Sequence, residues 1–372
     1  MIASTRHRLI ARGDLPGSDG GVYNPGALMT DEGIVLLARR EIDYRFTPIV
    51  HAERIVLDPD SLALRSHRTL VRRGYPDGAR IEDFRLIRHA GEILAVHTLV
   101  HGGRIRPMLS RLTERHIEPA GSLIMPFEVE PIEKNWVLFE HRGVLHCLYS
   151  LDPLTILARE GGVWRVVRRT HNGWADRFVG MLSNSTNLIP FRGGHLGFWH
   201  SIVDRRYVQG AMMLDDRLDL VAATGVLIDG GDIRRGHKPG VLYTSALVEH
   251  AGRVLAFHGE ADEHVGVTIF DAEALAAELE GHPFLPADPV LLDLEVSSLG
   301  ELFSLMDELR GFTAETGNPF VWLLTDRREL RDIARRFGVP RVSVRESVAA
   351  RALSGRVPNA AGGVERHRRS AD

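Results

Sequence analysis

One hairpin pattern recurs five times along this chain. A polar residue or short polar cluster opens an apolar strand, a turn carrying Gly or charge follows, and a second, strongly apolar strand returns. The five openings are Tyr23-Asn24-Pro25-Gly26-Ala27-Leu28, Glu82-Asp83-Phe84-Arg85-Leu86-Ile87, Glu133-Lys134-Asn135-Trp136-Val137-Leu138-Phe139, Ser185-Thr186-Asn187-Leu188-Ile189-Pro190-Phe191 and Tyr243-Thr244-Ser245-Ala246-Leu247-Val248. Their returning strands include Ile34-Val35-Leu36-Leu37-Ala38 and Leu196-Gly197-Phe198-Trp199. Further β-type runs follow each hairpin. The interval is roughly fifty to sixty residues, the length of a four-stranded propeller blade with its loops. Short strands punctuated by Gly, Asp and Asn turns argue for an all-β fold. A β-sandwich would show the same strand spacing without the repeat. The expected architecture is therefore a five-bladed β-propeller over residues 1–285.

Beyond it the pattern changes. Residues 289–294 and 320–324 read as buried strands, while 298–309 and 329–337 show helical spacing of Leu302, Leu305, Met306, Leu309 and their counterparts. This β-α-β-α order predicts a small C-terminal α/β appendage over residues 286–353. Its apolar helices offer a surface for homo-oligomer formation. Residues 354–372 lack periodicity and are expected to be disordered.

Composition narrows the function. A formal net charge of −3 gives no overall attraction to polyanions, so nucleic acid is not an expected partner. The runs Arg72-Arg73, Arg205-Arg206 and Arg234-Arg235 lie near acidic residues and read as solvated surface charge. The single cysteine, Cys147, excludes an internal disulfide and sits in an apolar alternation as a buried thiol. No Cys/His cluster has metal-ligand spacing, so no metal site is expected. No apolar stretch approaches membrane-spanning length and no leader is evident, so a cytoplasmic protein without membrane partners is expected.

In a propeller the innermost strands line a central channel, and residues at one end of them converge on a funnel. Repeatedly opening apolar strands with polar side chains is costly unless those side chains share a wet or ligand-filled space. Asn24, Asp83, Lys134, Thr186-Asn187 and Ser245 are the converging candidates. Asp83 stands out: strand alternation puts Asp83 and Arg85 on one side, an acid beside a cation, with Glu82 turned to the blade interior and bonded to backbone. His200 and Asp262 follow the second strands of blades four and five. Trp136 and Trp199 are candidates for stacking on sugar rings.

At these positions the chain resembles glycoside hydrolase family 130, the five-bladed β-mannoside phosphorylases and related mannosidases. The resemblance runs from about residue 22 to residue 271 and consists of short motifs. The family's Asn-Pro appears as Asn24-Pro25, and its Glu-Asp-Pro-Arg as Glu82-Asp83-Phe84-Arg85. A Lys opening the third blade appears as Lys134. The His-then-Tyr-Gly-Leu-Asp segment is echoed by His200, Tyr207, Gly210 and Leu214-Asp215, and the closing Gly-Ala-Ala-Asp by Gly259-Glu260-Ala261-Asp262. Phe84 replaces the family's Pro, Ser185-Thr186-Asn187 stands in place of Gly-Gly-Thr-Pro, and the fourth-blade His lacks its following Gly.

The resemblance implies that Asp83 is the catalytic general acid and inorganic phosphate the co-substrate, attacking the anomeric carbon with inversion and with no cofactor. Arg85, Lys134 and His200 would hold phosphate or sugar. Asn24, Tyr207 and Asp262 would bind the hydroxyls of a small-molecule or oligosaccharide glycoside; Asn187, from the converging polar set, is the remaining substrate-binding candidate. A hydrolase would need a second base to activate water. Three readings therefore stay open: phosphorolysis or reverse synthesis, hydrolysis or glycosyl transfer on the same scaffold, and a catalytically silent glycan-binding propeller.

Overall fold

The computed structural model describes residues 2–15, 20–42, 50–121, 123–127, 129–130, 132–170, 172–174, 181–203 and 206–284, together with the backbone of three short strands beyond them. The chain is mostly β, and five small sheets form a five-bladed propeller. Strand β1 (Ser4–Ile10) comes first and is used last. Blade one is β2 (Gly21–Thr30), β3 (Gly33–Glu41), β4 (Val50–Leu57) and β5 (Leu64–Thr69). After β6 (Val71–Arg72), blade two is β7 (Arg80–His89), β8 (Glu92–His101), β9 (Arg104–Leu112) and β10 (His116–Gly121), with β6 added parallel to β10. Blade three is β11 (Val137–His141), β12 (Val144–Leu151), β13 (Leu154–Glu160) and β14 (Val163–Thr170). In blade four the innermost strand is split into β15 (Ser183–Asn184) and β16 (Ile189–Phe191), both paired with β17 (Gly194–Val203). Strand β18 (Arg206–Leu214) then pairs with β19 (Leu220–Ala223) and β20 (Ile228–Asp229). Blade five is β21 (Leu242–His250), β22 (Arg253–Glu260) and β23 (His264–Asp271), followed by α1 (Ala272–Glu280), whose first turn is capped by Asp271 accepting from the Ala274 amide.

The inner strands carry long apolar runs because both of their faces are covered, whereas outer strands such as β5 and β14 are largely exposed. In β3, Ile34 and Leu36 pack with Ala246, Val248 and Phe257 of blade five, whereas Val35 and Leu37 pack with Phe84, Leu86 and Ala95 of blade two. The two-residue period of a strand divides one run between two cores. The same division holds in β22, where Leu255 and Phe257 face blade one and Val254 and Ala256 face blade four and α1. Hydrophobic cores thus lie between neighbouring blades. Cys147 is buried in one of them with Trp136, Leu138 and Trp164, and burial pushes its thiol pKa up.

The ring closes through β1, which supplies the fourth strand of blade five. It runs antiparallel to β23, pairing Ser4 with Phe270, Arg6 with Thr268 and Arg8 with Gly266. The polar, exposed Ser4-Thr5-Arg6-His7-Arg8 carries no apolar alternation, which hides this strand from a sequence reading.

The chain divides into two compact units, Met1–His171 with Gly180–Leu285, and Asn172–Val179 with Pro286–Asp372. In the second unit β24 (Val290–Leu292), β25 (Val321–Leu324) and β26 (Val342–Ser343) form a parallel sheet in that order. The first two occupy the segments read as strands; the helices read at 298–309 and 329–337, and the tail at 354–372, lie outside the described residues.

Two outcomes follow for stability. Deleting residues 2–10 uncovers the edge of β23 and removes Ile10 from the core between blades five and one. The loss of that side chain alone is worth about 2 kcal/mol, and an open strand edge promotes association. A lower urea midpoint and increased light scattering are expected; an unchanged midpoint contradicts the closure. Separately, burial lowers the pKa of His97 and His195 to about 4, and of His200 and His258 to about 3. Unfolded, these imidazoles titrate near 6.5. Unfolding between pH 6.5 and 4 therefore takes up as many as four protons, worth up to about 1.4 kcal/mol per imidazole per pH unit. The stability they confer is complete above pH 6.5 and is lost as pH falls toward the folded values. Calorimetry should show Tm falling steeply from pH 7 to 5, and a flat Tm over that range contradicts neutral burial of these rings.

Candidate functional site

The site originates in an extra residue. Three innermost strands carry one residue more than their partners: the register shifts between Tyr23 and Gly26 in β2, between Glu82 and Arg85 in β7, and between Thr244 and Ala246 in β21. In blade four the amides of Ser185 and Thr186 both reach the Phe198 carbonyl, at 2.9 and 3.4 Å. Asn24, Asp83 and Asn135 hold left-handed backbone, with φ of 49°, 57° and 64°. Asn and Asp tolerate this region better than other non-Gly residues, and a bulge re-aims its side chain out of the ladder. The strands approach closely here. A Cβ at Gly26 would meet the Phe84 carbonyl oxygen at 2.8 Å, and one at Gly259 would meet Asn24 Oδ1 at 2.1 Å.

One side of the site is acidic. Asn24 Nδ2 donates to Asp83 Oδ1 at 2.8 Å, and Arg39 Nη1 lies 3.8 Å from the same oxygen. Arg39 also pairs with Glu82 at 3.2 Å and Glu41 at 2.8 Å, and Arg80 pairs with Glu82. Tyr23 donates to Glu41, and Arg39 sits over the Tyr23 ring at 5.0 Å. Burial opposes the Arg39 charge, but Tyr23, Asp83, Glu82 and Glu41 outweigh it and raise its pKa. Three carboxylates thus share two guanidinium groups.

The other side is cationic. The Arg85 guanidinium, on a residue only 3% exposed, donates to the Ser185 carbonyl at 2.9 Å, the Asp83 carbonyl at 3.3 Å, Asn135 Oδ1 at 3.2 Å and the Tyr243 hydroxyl. Every acceptor is neutral. Among the described residues no carboxylate lies within ion-pair distance of it, nor of the exposed Lys134. His200 is buried beside them, and burial, then Arg85 and Lys134, lower its pKa to about 3. Its ring stacks on Tyr207 at 5.6 Å and meets the edge of Tyr243 at 5.1 Å. Tyr207 joins the two sides. Burial, then Asp83 and Asp262, raise its hydroxyl pKa to about 12. Asp262 follows β22 in left-handed backbone, φ 57°, with Lys238 Nζ 2.5 Å from its Oδ2.

Asn24, Asp83, Arg85, Lys134, His200, Tyr207 and Asp262 are thus gathered at one place, but several expected details are corrected. Asp83 and Arg85 are not related by strand alternation, because the bulge lies between them; the cation beside the Asp83 carboxylate is Arg39, and Arg85 bonds the Asp83 backbone. Glu82 pairs with Arg39 and Arg80 instead of bonding backbone. Asn187 is not free to bind sugar: its amide spans the Leu247 backbone, donating at 3.1 Å and accepting at 2.7 Å, and so ties blade four to blade five. Trp136 and Trp199 are 3% and 1% exposed and pack in the cores, where no sugar reaches them. Sequence reading missed Arg39, Glu41, Asn135, Tyr243 and Lys238. The charged triplet Arg39-Arg40-Glu41 ending an otherwise apolar strand was the available signal.

No protein-family model and no curated protein matches the chain. Solved structures do. The chain is similar to a β-1,2-mannobiose phosphorylase from Listeria innocua, solved with β-1,2-mannobiose, at TM-score 0.59 and 16% identity over 76% of this chain and 100% of that one. A glycosyl hydrolase from Bacteroides ovatus aligns at TM-score 0.54 and 13% identity, covering 68% of this chain and 85% of that one. A third structure, described within the glycoside hydrolase family 130 of mannoside phosphorylases as concerning hydrolases that target β-1,2-mannosidic linkages in Candida mannan, aligns at TM-score 0.54 and 13% identity over 68% and 85%. At these identities the likeness shows the fold: this chain has the five-bladed propeller of those carbohydrate-active proteins.

Proposed function

We propose that this chain is a carbohydrate-active enzyme that cleaves β-mannoside-like glycosides by phosphorolysis with inversion, or runs the reverse synthesis from a sugar 1-phosphate. One observation carries the reading: an acid held by Asn24 stands across from a buried guanidinium, Arg85, that has no carboxylate partner among the described residues. Burying an uncompensated cation is costly, and an anionic ligand relieves that cost. The exposed Lys134 enlarges the same anion-seeking surface.

In this reading Asp83 works as general acid. The contacts from Asn24 and Arg39 fall on Oδ1, which leaves Oδ2 to carry the proton. As the bond between the anomeric carbon and the glycosidic oxygen breaks, that oxygen takes the Asp83 proton and leaves as the free sugar. A phosphate oxygen held by Arg85 and Lys134 attacks the anomeric carbon from the opposite face. Phosphate is already a competent nucleophile, so no second base is required. The names of the structural neighbours, one of them a β-1,2-mannobiose phosphorylase, support this class of substrate.

Hydrolysis is the second reading, and Tyr207 favours it. Asp83 and Asp262 both raise the pKa of that hydroxyl, and hydrolysis needs a second carboxylate as base, for which Asp262, paired with Lys238 at 2.5 Å, is the candidate.

Incubation of a β-mannobiose with and without phosphate separates the two. Phosphorolysis predicts sugar 1-phosphate formed only when phosphate is present, with kcat falling roughly 10²–10⁴-fold in Asp83→Asn while far-UV circular dichroism is unchanged. Free mannose without phosphate establishes hydrolysis instead, and sugar binding without turnover establishes a binding propeller. A further outcome concerns the acidic side. Arg39→Met leaves Glu41 and Glu82 to Arg80 and Asp83 to Asn24, and should destabilise the fold by about 3–5 kcal/mol, read as a lower urea midpoint. An unchanged midpoint removes Arg39 from its assigned place.

A further inference from the structure

Arg234-Arg235 reads in the sequence as solvated surface charge, yet in the structure the pair lines an open groove of about 450 Å³ beside blade five. Arg6 and Arg8 of β1, the segment Asp232, Arg234 and Arg235, and the buried Glu260 of β22 line it. The first two are fixed by backbone. Strand β1 is held by its ladder to β23, and the arginine segment by the Ile233 amide on the Gly230 carbonyl at 3.0 Å, the Gly240 amide on the Ile233 carbonyl at 2.8 Å and the Lys238 amide on the Ala261 carbonyl at 2.9 Å.

The charges are unequal. Glu260, whose side chain is 5% exposed, takes the Arg8 fork at 3.0 and 2.8 Å and lies 4.0 Å from Arg6, which also pairs with Asp232. These two carboxylates orient and offset two guanidinium groups. Arg234 and Arg235 are exposed and make no ion pair among the described residues. Four guanidinium groups against two carboxylates leave two positive charges in one concave place.

We propose that this groove binds a phosphate monoester, at a site separate from the central funnel. A phosphate monoester carries about −1.5 to −2 charges at neutral pH and three acceptor oxygens, which matches the residual charge. Guanidinium forks suit those oxygens in paired hydrogen bonds. The volume accommodates a sugar-sized body behind the phosphoryl group. None of the six residues belongs to the funnel, so the site stands whether or not phosphorolysis does.

Isothermal titration of the full chain tests it, with mannose 6-phosphate, inorganic phosphate and uncharged mannose as probes. The phosphorylated probes should bind, more weakly as salt rises. The double variant R234A/R235A, altered only at exposed positions, should lose at least about tenfold in affinity, with Tm unchanged. Because the proposed function also gives Lys134 a phosphate in the funnel, the pair R234A/R235A is compared in the Lys134→Ala background as well, where the remaining affinity belongs to the groove and should fall by the same factor. Equal affinity for the two phosphorylated probes assigns the site to the phosphate ion; tighter binding of the ester assigns it to a sugar phosphate. No binding of either probe in the Lys134→Ala background overturns the proposal, as does affinity there that survives R234A/R235A.

Discussion

The inserted residue in the innermost strands sets the geometry of everything nearer the axis. In a sheet covered on both faces each residue of a regular strand points into one inter-blade core or the other, and a polar side chain there must find a partner, as His97 does in Ser110 at 2.9 Å. The extra residues in β2, β7 and β21 break that alternation and leave a side chain outside both cores. Left-handed backbone at Asn24 and Asp83 costs of order 1–3 kcal/mol each, held in place by ladders on either side. Gly26 and Gly259 allow the close approach, because a side chain at either would collide with the neighbouring strand or with Asn24 itself.

Charge separation follows from that geometry. Arg39, at the end of β3, faces Glu41, Glu82 and Asp83 and binds the acidic side into one cluster. Arg85, the first paired residue after the bulge, is carried to the other side and joins blades two to five through neutral acceptors. Its charge is therefore unspent. An acid and an uncompensated cation separated by aromatic rings form a more specific arrangement than either alone, and they are what the proposed chemistry uses.

The blade count was legible because strands covered on both faces must be apolar throughout, and five such runs return after polar openings. The converging set was legible for the same reason: Asn24, Asp83 and Lys134 are polar where apolar residues are the rule. What failed was local. Two-residue spacing put Asp83 with Arg85, but a bulge adds a residue without leaving a mark in composition, and the register changed beneath the pattern. Asn187 looked like its counterparts and instead satisfies the Leu247 backbone, a partner about sixty residues away that only the closed ring supplies. The closing strand β1 could not be read at all, since its exposed outer position permits Arg, His and Ser where an inner strand needs Val and Leu.

Ligand-bound crystallography of the Asp83→Asn chain tests the central claim most directly. Soaked with a β-mannobiose, the crystal should show the disaccharide at the axis, its glycosidic oxygen within hydrogen-bond distance of residue 83 and an anion, when phosphate is added, against Arg85 and Lys134. A disaccharide seated away from residue 83, or phosphate absent from the Arg85 side, would contradict the account.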